Sequence, residues 1–133
     1  MVRNKQSKTG LEDLAAERAV LAGLCQYGLD TLLDVDFLDV DHFTDSTNQI
    51  IFQCVKKALR DVQKAELSLL LSAANQLGFY ENINNQDEIG FLRSLFNFPI
   101  HEENVSSHAE KLAKLKIARD VKKTLKICTN RIE

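Results

Sequence analysis

The chain has 133 residues, 44% hydrophobic and 27% charged, with a formal net charge of −2. That length supports one domain with one core, and the apolar content excludes an intrinsically disordered chain. Five glycines and one proline favour a mostly helical fold, no apolar run approaches a membrane span, and the polar N-terminus is no signal peptide.

Residues 1–10 are polar, carry Arg3, Lys5 and Lys8, and are expected to form a disordered leader. A globular helical domain over residues 11–101 and a long helix over residues 102–133 are expected to follow. Glu12 to Gln26 reads as the first helix. Its Leu14, Val20, Leu21, Leu24 and Cys25 give a wide apolar face suited to the centre of a bundle, and Gly28 can take the left-handed conformation that stops it. Leu29 to Phe43 is acidic and of short period. Asp30 can cap a helix through Val35, and Asp39 or Asp41 can begin another turn. Leu32, Leu33, Phe37, Leu38, Val40 and Phe43 are expected to cover the base of the core. Asp34, Asp36, Asp39 and Asp41 are spaced closely enough to suggest a calcium loop. The Gly and Glu that an EF-hand needs at its sixth and twelfth positions are missing, so helix capping is the better use.

Ser46-Thr47-Asn48-Gln49 has the capping-box pattern and predicts a helix to about Arg60, with Ile50, Ile51, Cys54, Val55, Ala58 and Leu59 buried. Ser68 is the expected cap of a helix over Leu69 to Leu77, which Gly78 ends. Glu81 to Gln86 reads as a loop. Asp87 then caps a helix with Ile89, Leu92, Leu95 and Phe96 inward, and Pro99 breaks it. From Asn104 to Glu133 there is neither Gly nor Pro. Apolar or small residues at Val105, Ala109, Leu112, Leu115, Ala118, Val121, Leu125, Cys128 and Ile132 recur in steps of three and four, which predicts one helical stripe. Asn104, or Ser107 with Glu110, is its expected cap. Such a helix is roughly 40 Å long, whereas the rest of the chain makes a globule about 30 Å across. The stripe is therefore expected to pack on its own bundle near Leu112 and Leu115. From Val121 onward, through Leu125, Cys128 and Ile132, it should lie exposed or meet another helix. Arg119 and Lys122 flank it and are expected to meet acids on a neighbour.

Charge is segregated. Nine acids between Glu12 and Phe52 face one base, Arg18, while the last helix is basic. A basic face can touch phosphates, but no aromatic residue interleaves these lysines to stack on a base. A solvated face, or one packed against the acidic half of a neighbouring copy, is the better reading. Cys25, Cys54 and Cys128 form no CxxC and read as thiols of a cytoplasmic protein. No glycine is followed by lysine, so there is no phosphate-cradling loop, and no HExxH or GxSxG occurs. No catalytic residue, metal or cofactor is expected.

The order of these pieces resembles the N-terminal domain of DnaB-type replicative helicases. Glu17-Arg18-Ala19-Val20-Leu21-Ala22-Gly23-Leu24 is similar to that family's opening helix. Asp41-His42-Phe43-Thr44-Asp45, followed by Asn48-Gln49-Ile50-Ile51-Phe52, resembles its next step. Leu69 to Gly78, then Ile89-Gly90-Phe91-Leu92 through Leu95, Pro99 and Asn104-Val105, resemble the helices leading into its helical hairpin. The likeness runs from about Leu11 to Glu133. Asn84-Asn85 in place of Gly-Gly, with Ala22 and Ala15, suggests a divergent, phage-type member. The resemblance implies an all-α, non-catalytic collar that pairs with itself, as a dimer or a trimer of dimers in a hexamer, and docks primase or a helicase loader. Phe91 would be a rim anchor for primase. DNA would be met only through a full-length protein, whose second hairpin helix and ATPase domain are not in this chain. Two rivals stand beside it. One is the helicase-binding domain of a primase, against which Met1 and the polar leader argue. The other is a nucleic-acid-binding helical module using the basic last helix.

Overall fold

The computed structural model describes residues 10–132, with side chains as far as Cys128. Most of the expected leader, and the side chain of Ile132, lie outside the described residues. In chain order the elements are α1 (Leu14–Tyr27), α2 (Leu29–Asp34), a 3₁₀ turn (Val40–His42), α3 (Ser46–Asp61), α4 (Leu67–Leu77), α5 (Tyr80–Ile83), α6 (Gln86–Leu95) and α7 (Glu102–Ile132). The fold is all-α: short helices bundle together and one long helix follows.

α1 runs through the centre. From Ala16 to Cys25 its side chains are buried on every side except at Arg18, which suits a helix that is apolar nearly all round. Around it pack Ile51, Phe52, Val55 and Leu59 of α3, Leu92 and Leu95 of α6, and Val105, Ala109 and Leu112 of α7, while α4, with Leu70 and Ala74 buried, packs on α3. Phe43 closes the base, its ring 4.7 Å from that of Phe52. Leu32, Val35 and Leu38 complete that base. Leu33 and Phe37, expected there too, are instead 60% and 45% exposed, because their neighbours already fill the space beneath α2.

One buried residue was not legible locally. Glu17 is fully buried on α1. Its carboxylate accepts from the Thr44 N–H at 2.9 Å, the Thr44 hydroxyl at 2.6 Å and the Asn48 amide at 3.0 Å. A buried carboxylate requires such donors, and its place beside the start of α3 also suits the positive end of that helix. The expected capping box is thereby corrected. Asp45 is the N-cap of α3, with no side-chain cap bond, and Gln49 instead donates to the Phe43 carbonyl at 2.7 Å.

Other caps differ as well. α4 begins at Leu67 after Glu66, without a bond from Ser68. Asn85, not Asp87, caps α6 by accepting from Glu88 N–H at 3.0 Å, and the expected loop contains α5. Gly28, not Asp30, precedes α2. α7 starts at Glu102, so Asn104, Ser107 and Glu110 lie within it. The readings at Asp39 and Gly78 hold. Asp39 accepts from Val40 N–H at 2.7 Å while His42 Nδ1 accepts from Asp39 N–H at 2.9 Å, and Gly78 ends α4 in the left-handed region at φ 83°.

Candidate partner-binding surface

α7 is fixed to the bundle along its first half. The end of α1 grips the connection that leads into it: Gln26 donates to the carbonyls of Leu95 at 2.8 Å and Phe98 at 2.7 Å, and the Tyr27 hydroxyl donates to that of Ile100 at 2.6 Å. Val105 then sits directly on Gly23, where the absence of a side chain lets the two helices touch. Ala109 and Leu112 continue the buried line. Lys111 pairs with Asp13, the residue whose carboxylate also caps α1 through Ala16 N–H at 2.9 Å. Burial pushes the Asp13 carboxyl up, but the Lys111 and Ala16 bonds outweigh it and leave its pKa below the usual value.

Arg119 is the last tie. It donates to the carbonyl of Leu11 at 2.8 Å and to that of Asp41 at 3.1 Å. Its guanidinium is thus engaged by backbone oxygens of its own chain. Farther along, Ile117 is 63% exposed, Val121 52% and Leu125 62%, and Lys122 and Cys128 are exposed too. Ile117 belongs to this line although the stepping pattern passed over it.

The single stripe expected from the sequence does not run straight. Each step of three turns the line back by about 60°, and such steps predominate between Ala109 and Val121. Val105, Ala109 and Leu112 therefore face the bundle, while Ile117, Val121, Leu125 and Cys128 lie roughly 150° around the helix. Leu115, half-buried, falls between the two faces. One helix thus carries two apolar faces in succession, one packed inward and one turned outward.

Phe91 is half-buried against the core. The Arg18 guanidinium lies 5.5 Å from its ring centre and 4.7 Å from that of Phe98, and donates to the Ser94 hydroxyl at 3.1 Å. Its ring is therefore partly committed to an internal stack of cation and aromatics. Burial pushes the Cys25 thiol up to about 12 and the Cys54 thiol up to about 11, which makes both poor nucleophiles. Among the described residues, no three His, Cys, Asp or Glu side chains converge as metal ligands, and no helix is long and apolar enough to cross a membrane.

The family model for the DnaB-like helicase N-terminal domain matches residues 10–114. That match covers the bundle and the anchored half of α7. No curated protein is significantly similar to the chain. Among solved structures, the crystal structure of the N-terminal domain of DnaB helicase from Mycobacterium tuberculosis superposes with a TM-score of 0.75 at 19% identity, over 90% of this chain and 84% of that one. At that identity the likeness speaks for the fold. The family match and the likeness of fold agree: the chain belongs to the family of DnaB-like helicase N-terminal domains.

Proposed function

We propose that this chain is the non-catalytic collar of a replicative DNA helicase, pairing subunits through the outward half of α7 and offering its bundle to primase or a loader during DNA replication. The observation that carries this reading is the apolar line Ile117, Val121 and Leu125, exposed on a helix whose first half is rigidly seated. Burying such a line against another subunit is worth about 25 cal/mol for each Å² of apolar surface removed from water. Exposed ion pairs at its edge add little, so the apolar residues dominate and Lys122 contributes mainly to orientation. Within this reading Phe91 and its neighbours on α6 are the primase-facing rim. Strand separation and ATP hydrolysis belong to other parts of a full-length helicase.

The test is sedimentation equilibrium of the chain and of Leu125→Asp. The native chain is expected to self-associate, and the variant to be monomeric with an unchanged far-UV circular dichroism spectrum. Equal self-association of both would reject α7 as the pairing surface. Docking is tested separately by pull-down with the cognate primase, where Phe91→Ala is expected to weaken capture.

A further inference from the structure

Outside α7, two large apolar side chains stand exposed on α2 and the turn after it: Leu33 is 60% and Phe37 45% exposed. Beside them, between α2 and α3, lies a shallow hollow of about 50 Å³. Leu29, Leu32, Leu33 and Leu38 give it an apolar floor. Asp36 borders it from the α2 side, and Lys56 and Arg60 border it from α3. The space admits the tip of one aliphatic side chain.

The charges round this surface are uncommitted. Residues 29–42 hold five Asp and no Lys or Arg. Asp30, Asp34 and Asp36 are exposed, and neither they nor Lys56 and Arg60 enter an ion pair among the described residues. By contrast Lys57 is matched with Asp61 at 2.8 Å, and Lys116 with Asp120 at 2.9 Å. Carboxylates left together repel one another, and a cation brought among them relieves that repulsion. The same acids repel phosphates, so a nucleic acid is the wrong occupant.

A hollow between two helices takes a third helix lengthwise, and apolar side chains at i and i+4 on that helix stand about 5–6 Å apart. One such side chain fits the hollow while its neighbour lies over Leu33 and Phe37. Lys or Arg on the flank toward α2 meets Asp34 and Asp36, and Asp or Glu on the other flank meets Lys56 and Arg60. We propose that this surface docks an amphipathic helix of a partner protein, with an apolar ridge and a basic flank. Its apolar tips supply the affinity and its charged borders the orientation. The site is built from α2 and α3, whereas the pairing line belongs to α7 and Phe91 to α6, so it stands apart from both.

The probe is a fluorescein-labelled synthetic helical peptide with leucines on one stripe, lysines on one flank and glutamates on the other, read by fluorescence anisotropy. One control peptide has serines in place of the leucines, and a second has glutamates on both flanks. The native chain is expected to bind the probe at least about tenfold more tightly than either control, a difference of about 1.4 kcal/mol. Leu33→Ala with Phe37→Ala, and separately Asp34→Lys with Asp36→Lys, should each weaken the probe at least about tenfold with an unchanged circular dichroism spectrum. Added salt should weaken it too, and Leu125→Asp should leave its affinity unchanged. Equal binding of probe and controls, or native-like binding by either double variant, would overturn the proposal. So would loss of the probe in Leu125→Asp, which would put the peptide on α7. Two results would name another occupant and overturn it as well. Weaker self-association of the double variants in sedimentation velocity would name a second copy. Tighter probe binding by a chain lacking residues 1–9 would name this chain's own basic segment.

Discussion

The crossing of α1 and α7 at Gly23 offers the sharpest test of how the bundle is held together. A methyl carbon built on Gly23 would lie 2.3 Å from one Val105 methyl and 3.1 Å from the other. Ordinary carbon contacts are about 3.5–4.0 Å, so Gly23→Ala requires the helices to separate locally by more than about 1 Å. Val105 has no route of escape: it is fully buried, and a β-branched side chain in a helix has one strongly preferred rotamer. Overpacking of this kind costs about 1–3 kcal/mol. Alanine recovers up to about 1 kcal/mol through helix propensity. A net loss of about 1–2 kcal/mol is expected in urea unfolding followed by circular dichroism. Val105→Ala alone should cost about 2 kcal/mol by leaving a cavity. The double variant should cost less than the sum by roughly 1 kcal/mol or more, since the new methyl occupies the vacated space. Additivity within about 0.5 kcal/mol, or stabilisation by Gly23→Ala alone, would refute the close-packed crossing.

Three further outcomes follow from other sites. Glu17→Ala should destabilise by about 3 kcal/mol, because the Thr44 and Asn48 donors lose their buried acceptor; a loss under about 1 kcal/mol would mean water replaces it. A thiol reagent should modify Cys128 rapidly in the native protein and reach buried Cys25 and Cys54 only on unfolding, as followed by mass spectrometry over time. Burial lowers the pKa of His42, assisted by Lys116 and Arg119 and opposed by its bonds to Asp39. Its neutral form is therefore favoured on folding, so its contribution is present above the unfolded value of about 6.5 and is lost as pH falls through that value toward the lower folded one. Unfolding free energies measured between these limits should rise with pH, and His42→Ala should flatten that slope.

The long helices were legible because their signals are local and repeated. The freedom of α7 from Gly and Pro and the apolar run of α1 fix those elements whatever surrounds them. Single-residue signals fared less well where a distant partner competes. The Ser46 pattern fails because α3 begins at Ser46 itself, with Asp45 at the cap position, and Gln49 donates to the Phe43 carbonyl instead. Asn85 and Asp87 are both competent caps, and only the turn after α5 decides between them. Leu33 and Phe37 were misplaced because α2 is too short to reveal a period. The stripe along α7 satisfied a rule of steps, but that rule does not fix direction: a succession of threes satisfies it while turning from the core to the outside. For the same reason the exposure of Val121 and Leu125 was foreseen, but not that they look away from the face holding Leu112. Arg119 read as a surface charge because a sequence does not display the backbone carbonyls it meets.

The asymmetry of α7 has a mechanical side. The helix is clamped from Val105 to Leu112 and, through Arg119, once more beyond, while the remainder carries no buried side chain among those described. From Leu112 to Ile132 the axis runs about 30 Å. A rotation of only about 5° at the clamp would carry the far end through nearly 3 Å, roughly half the pitch of a helical turn. Small differences in packing beneath Val105 are thus amplified into large differences in where the outward face arrives. The close contact of Val105 on Gly23 acts as the fulcrum that aims the arm.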